Sequence, residues 1–313
     1  MTSFLVTLIP GPLVIRWLKR RFRERIASDS RRLDELHAAK QGTPTMGGVL
    51  MAVGALAGML LCSRETLGGA VRWQAVTCLV GFSLLGAWDD YVKARSGRKG
   101  LTVRQKLTGQ LVIAGLVGVW QAWSSESDCG WNDVSRLGFW VSVVWTTVWV
   151  AGGSNAVNLT DGLDGLAAGS VVLSGAGLSV VIGLWSSRPE WSVIAGIVAA
   201  TSAGFLWYNR HPARVFMGDT GALPLGALLG LCGTGAGIEW QTLGCCLVFV
   251  AELFSVVLQV LWFRRTGRRL LLCSPLHNHF VFAGVSERRI VGRFWLFGLL
   301  SSGATVGLAW LMS

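Results

Sequence analysis

Apolar runs long enough to cross a bilayer recur along this chain. They lie near residues 4–18, 44–62, 72–88, 105–123, 138–157, 165–185, 191–208, 218–238, 241–262 and 293–312. Lipid offers no partner to backbone amides, so a crossing segment satisfies its own, as a helix of about 20 residues does. The pattern predicts an all-α polytopic membrane protein with about ten transmembrane helices. The composition agrees, with 52% hydrophobic and only 14% charged residues. Ten spans would consume roughly 200 residues, which leaves too few for a separate soluble domain. Residues 1–313 therefore read as a single transmembrane domain. Pro10 and Pro12 predict a bend in the first run. Basic residues follow that run, Lys19-Arg20-Arg21-Phe22-Arg23, with no small-residue cleavage site, so it reads as a retained span and not a signal peptide.

Charge orients the spans. The segments 16–43, 89–106, 209–217 and 263–293 hold 24 of the 28 lysines and arginines, and the opposite side holds only Arg64, Arg72, Arg136 and Arg188. The basic side is expected to be cytoplasmic, and with ten spans both termini lie on the extracytoplasmic side. The net charge of +11 is then a property of one membrane face, suited to anionic lipid. No basic soluble surface with a nucleic-acid reading element is evident. The seven cysteines contain no CxxC pair and fall mostly within apolar runs, so they read as small core residues.

The same orientation gathers Asp89, Asp90, Asp161, Asp164 and Asp219 on the cytoplasmic side, each near the end of a span. The most costly stretch is Asn158-Leu-Thr-Asp-Gly-Leu-Asp-Gly165, two carboxylates and two glycines between strongly apolar flanks. A tight turn explains the glycines but not the acids, and acids placed this way are functional by default. Four other polar stretches share the face. Lys40 to Gly48 places a cation, two hydroxyls and three glycines at a helix start, which suits an anion. Asp89-Asp90 repel one another, which suits a bound cation or a shared proton, and Lys93 lies one turn on. Asn209 to Gly221 carries Phe216 three residues before Asp219, an aromatic face able to stack on a nucleobase. His277 and His279 are two apart, with no third soft ligand for zinc. Hard carboxylates point instead to Mg2+ with phosphate. Together the stretches fit metal-assisted transfer of a phosphate-bearing group from a soluble nucleotide to a membrane lipid. A transporter would carry its acids at mid-span, not at one face. Glu252, inside an apolar run, needs a partner or a water-filled cavity and reads as structural.

The motifs resemble the phospho-N-acetylmuramoyl-pentapeptide transferases, within the polyprenyl-phosphate N-acetylhexosamine-1-phosphate transferases. Lys40 to Gly48, Asp89-Asp90, Asn155 to Ala167, Phe216 to Gly221 and residues 274–280 stand in the family's order and spacing, and the likeness runs from Gly11-Pro12 to Arg293-Phe294-Trp295. The Pro-x-His-x-His form favours the muramoyl branch over relatives that use UDP-GlcNAc or another UDP-sugar. The resemblance implies a Mg2+-dependent homodimer in the bacterial inner (cytoplasmic) membrane. It implies the reaction of UDP-MurNAc-pentapeptide with undecaprenyl phosphate to give lipid I and UMP in peptidoglycan synthesis. Carried over by motif, Asp219 is a magnesium ligand, with Asp164 or Asp161 beside it. Asp89 and Asp90 are the catalytic pair near the lipid phosphate; apart from the resemblance, Lys93 and nearby arginines are expected to hold that phosphate. Asn158, Asp161 and Asp164 line the nucleotide and metal site. Phe216 stacks on uracil, helped by Lys40, Thr45, Asn209 and the backbone at Leu163. His277 and His279 contact the sugar or diphosphate.

Three positions depart from the family pattern: Asn278 for a middle histidine, Val281 for a glutamate and Ala222 for a serine. Asn278 keeps hydrogen-bonding ability without charge. Asn278→His is expected to leave turnover within about tenfold of the parent; a hundredfold rise in UMP release would overturn that expectation.

Overall fold

The computed structural model describes residues 1–22, 40, 42–96, 100–129 and 136–312. His37 and much of the basic 16–43 segment, with Asp133, lie outside them. Among the described residues there are thirteen helices and no strand. They are α1 (Thr2–Leu8), α2 (Gly11–Arg21), α3 (Gly48–Leu61), α4 (Gly69–Ser96), α5 (Val103–Cys129), α6 (Arg136–Thr160), α7 (Leu166–Trp185), α8 (Glu190–Asn209), α9 (Asp219–Ala236), α10 (Glu239–Cys245), α11 (Leu247–Thr266), α12 (Leu276–Phe282) and α13 (Glu287–Met312). Six of them, α4, α6, α7, α8, α11 and α13, are long and apolar enough to cross a membrane. The chain is a multi-pass membrane protein.

Helix α9 is the central post. Apart from Thr234, every one of its residues is buried, and it packs against α4, α6 and α8. A helix apolar on all sides belongs in a core. Its approach to α6 is backbone on backbone: the α-carbon of Gly226 faces the carbonyl of Gly153, and Gly230 faces that of Trp149. No side chain separates the two helices there, which is how small residues bring helices together in lipid. Helix α4 has 28 residues, about 42 Å at 1.5 Å per residue. That is longer than a hydrocarbon core of about 30 Å, and Asp89, Asp90 and Lys93 stand in its last turns.

Two of the expected single spans are broken, each for a visible reason. The first run divides into α1 and α2. Pro12 lacks the N–H that would reach the Leu8 carbonyl one turn back, and the Tyr208 hydroxyl donates to that carbonyl instead, at 2.7 Å. The 241–262 run divides into α10 and α11 at Cys246. There Ser174 and Ser302 donate to the Cys245 carbonyl at 2.7 and 3.1 Å. In both breaks a carbonyl left without its helical partner is met by a hydroxyl from a neighbouring helix.

A side chain at Gly226 has no space, because backbone lies against it, whereas Gly115 on α5 faces open space. Gly226→Val is expected to destabilise by about 1–3 kcal/mol or more, read as a lower melting temperature in detergent. Gly115→Ala is expected to be neutral or slightly stabilising; equal losses at both sites would refute the close approach.

Candidate active site

The N-terminus of α9 begins the site. Gly218 precedes it at φ 66°, a conformation that a side chain resists. A buried helix start leaves N–H groups without partners. Asp90, on α4, supplies them. Its Oδ1 accepts the Asp219 N–H at 3.2 Å, and its Oδ2 accepts the Thr220 N–H at 3.0 Å and the Thr220 hydroxyl at 2.7 Å. A carboxylate at a helix N-terminus also meets the positive end of the helix dipole.

That clamp brings the Asp219 carboxyl beside Asp89, and oxygens of Asp89, Asp90 and Asp219 lie within 4.8 Å of one another. All three residues are buried. Two ammonium groups answer this negative charge. Lys93 Nζ lies 2.6 Å from Asp89 Oδ2 and 3.2 Å from Asp219 Oδ2. Lys106 Nζ lies 2.5 Å from Asp219 Oδ2 and donates to Asn158 Oδ1 at 3.0 Å. The Asn158 amide in turn donates to Asp219 Oδ1 at 2.8 Å, while Asp89 Oδ1 accepts the Leu101 N–H at 2.7 Å. The result is a polar group of three buried acids, two partly exposed cations and an amide.

A second charged group sits at the far end of the 158–165 loop. Lys40 Nζ lies 2.8 Å from Asp164 Oδ1 and 2.5 Å from Glu287 Oε1. Asp164 Oδ2 is 3.0 Å from His211 Nδ1 and accepts the Ala213 N–H at 3.0 Å. Burial pushes the Asp164 carboxyl up, but Lys40, the Ala213 N–H and His211 together hold the group below the ordinary carboxylate value. Asp164, His211 and Glu287 also have the spacing of metal ligands, yet the Lys40 ammonium already meets their charge.

Between the two groups, Gly162 faces the His277 ring at its Nε2. His277 is buried, with its Nδ1 3.2 Å from Glu252 Oε2 and its backbone N–H donating to Glu252 Oε1 at 3.1 Å. Residues 44–48 run beside 216–217: the Phe216 N–H donates to the Pro44 carbonyl at 2.9 Å, and the Gly47 and Gly48 N–H groups donate to the carbonyls of Phe216 and Met217 at 2.8 Å each.

Comparison with known proteins shows the family. Glycosyl transferase family 4 matches residues 73–235, and Phospho-N-acetylmuramoyl-pentapeptide-transferase signature 1 matches residues 40–50. A phospho-N-acetylmuramoyl-pentapeptide-transferase of Desulforudis audaxviator is 40% identical over 326 residues, covering 99% of this chain and 96% of its own. That of Desulforamulus reducens is 39% identical, covering 96% and 91%, and that of Chlamydia pneumoniae 38%, covering 97% and 91%. The chain belongs to the phospho-N-acetylmuramoyl-pentapeptide-transferase family. The protein is a phospho-sugar transferase. The signature segment contributes Lys40 and Thr45, and the family range contributes every carboxylate of the first group.

The transferase distributes the expected residues differently from the sequence reading in several respects. Asp219 is grouped with Asp89 and Asp90, not with Asp164 or Asp161. Asp164 lies in the Lys40 group, and Asp161 is half-buried on the loop, outside both carboxylate groups. Asp90 holds the α9 start with both oxygens, and through it fixes the position of Asp219. Asn209 is buried: its Oδ1 accepts the Gly165 N–H at 3.1 Å, and its Nδ2 donates to the Val215 carbonyl at 2.9 Å. It ties the loop to the Phe216 segment. The Leu163 side chain packs in an apolar cluster with Leu166, Val248, Ile290, Val291 and Phe294. Val281 packs against the same cluster. Phe216 is half-buried, and the Thr45 hydroxyl lies against Gly218. His279 turns away from His277, its Nδ1 accepting the Leu272 N–H at 3.2 Å, and lines a groove with Arg269, Leu270 and Phe282.

Lys106, His211 and Glu287 are in the two groups but were not among the site residues expected from the sequence. Lys106 looked like one more cytoplasmic charge. Its position a turn inside α5, ahead of an apolar run, was the available signal. Lys106→Met is expected to lower turnover by about tenfold or more, the scale of one lost charge-assisted hydrogen bond. The exposed neighbour Arg104 is the control, and equal defects in Lys106→Met and Arg104→Gln would refute a specific role.

Proposed function

We propose that this transferase moves phospho-MurNAc-pentapeptide from UDP-MurNAc-pentapeptide to undecaprenyl phosphate, releasing UMP and forming lipid I in peptidoglycan synthesis. The observation that carries the reading is the first group: three buried carboxylates answered by Lys93 and Lys106 at one end of an apolar bundle. Family membership supplies the substrates. The same reading includes ten spans in the bacterial inner membrane, extracytoplasmic termini, one domain over residues 1–313 and a homodimer. Those features rest on charge distribution and family alone.

In the reaction, an oxygen of the lipid phosphate forms a bond to the β-phosphorus, and the bond from that phosphorus to the bridging oxygen breaks. The electron pair leaves with UMP. Such transfers depend on positioning and charge neutralisation. Lys93 and Lys106 suit the phosphate oxygens, because their ammonium groups stand at the mouth of the carboxylate group with partial exposure. Asp219 and Asp89 are the residues that would hold Mg2+, since buried hard oxygen donors fit that ion. When bound, it supplies Lewis-acid neutralisation of the diphosphate. Asn158 and Lys106 hold the Asp219 carboxylate in orientation. Lys40 and the Asp164 loop form the donor wall, with Phe216 as the stacking face.

Asp89 serves as a positioning group in this reading. A phosphate monoester has its second pKa near about 6, so it is mostly dianionic at neutral pH and needs no base. Asp89→Asn is therefore expected to show a rate defect that stays constant between about pH 7 and 9. A defect that shrinks as pH rises above 8 would identify Asp89 as a base. The function itself is tested by UMP release from purified protein with undecaprenyl phosphate. UDP-MurNAc-pentapeptide is expected to support release, UDP-GlcNAc is not, and EDTA is expected to abolish it. Preference for UDP-GlcNAc would move the chain to another branch of the family.

A further inference from the structure

We infer that Glu287 is a positioning residue for the nucleotide-sugar donor, acting through Lys40 and the Asp164 loop. This rests on the donor wall described above. Glu287 opens α13, just beyond residues 274–280 and outside all five motifs that carry the family resemblance. One of its oxygens, Oε1, takes two hydrogen bonds: from Lys40 Nζ at 2.5 Å and from the backbone N–H of Asp164 at 2.6 Å. Its other oxygen, Oε2, faces His211 Nδ1 at 3.7 Å. A single carboxylate thereby joins the 40–48 segment, the 158–165 loop and the 209–217 segment, three of the five polar stretches.

The geometry is specific to a carboxylate of this length. The Lys40 and Glu287 side chains are only 15% and 17% exposed, so solvent screens their pairing weakly. Lys40 is held from two sides, by Asp164 and by Glu287. Without Glu287, nothing in that pairing keeps Lys40 from moving wholly onto Asp164. The Asp164 amide would also lose its acceptor, which shifts the backbone between Leu163 and Gly165. The α13 start is anchored independently: Ile290, Val291 and Phe294 pack into the apolar cluster that also holds Leu163 and Leu166. The carboxylate is therefore not needed to fix the helix, and its work is on the loop and the lysine.

The distinguishing test is a kinetic split. Interactions made equally in ground and transition states change KM and leave kcat in place. Glu287→Gln keeps the shape and an acceptor for the Asp164 N–H but removes the charge that holds Lys40. It is expected to raise the KM for UDP-MurNAc-pentapeptide about tenfold, with kcat and the KM for undecaprenyl phosphate within about twofold. Glu287→Asp, which keeps the charge, is expected to recover part of the loss. Lys40→Met is expected to raise the donor KM as well, and the double variant Lys40→Met with Glu287→Gln to be no worse than the worse single one. Arg288→Gln, an exposed neighbour, is expected to match the parent. A lower kcat with both KM values unchanged, or fully additive defects with Lys40→Met, would overturn the inference. An unchanged donor KM in Glu287→Gln would do the same. Failure of the parent protein itself to release UMP would instead overturn the proposed function.

Discussion

The start of α9 is the constraint on which the site depends. A helix buried along nearly its whole length cannot leave its first N–H groups unpaired in an apolar bundle. Asp90 meets them from α4, and in doing so brings a second carboxylate, Asp89, against the one that α9 carries at its first position. Three acids in so small a volume could not all stay ionised unaided. Lys93, Lys106 and Asn158 surround them for that reason. A capping problem in the fold and a charge problem in the site are thus solved by the same residues.

The 158–165 loop then acts as a strap with three fixed points. Asn158 is tied to Asp219 and Lys106, Gly162 abuts His277, and Asp164 is held by Lys40, His211 and Glu287. Its acids do not share one task. The loop spans from the carboxylate group at one end to the donor wall at the other, with His277 and Glu252 behind its middle. Asn209 and Leu163 belong to its support, one by hydrogen bonds and the other by packing.

Much of this was legible in the sequence, because a bilayer makes polar residues conspicuous. The helical class, the gathering of acids at one end and the polar stretches that hold Lys40, Asp89, Asp219 and Asn158 follow from polarity set against apolar runs. The breaks at residues 9–10 and 246 were only half legible. Proline announces the first, but the hydroxyl from Tyr208 that makes it tolerable comes from nearly 200 positions away. Lys106 and Glu287 were hidden among ordinary interfacial charges, and only their partners distinguish them.

By itself the sequence determined that the chain crosses a membrane as helices and that its costly polar residues cluster at span ends, since both follow from local composition and the absence of water in lipid. Tertiary structure alone decided which acid serves which group. Asp90 became a cap, Asp164 a partner for Lys40, and Asp89 the neighbour of Asp219. The physical reason is that carboxylates are chemically alike, and their roles are set by the N–H groups and cations brought to them by helices distant in the chain.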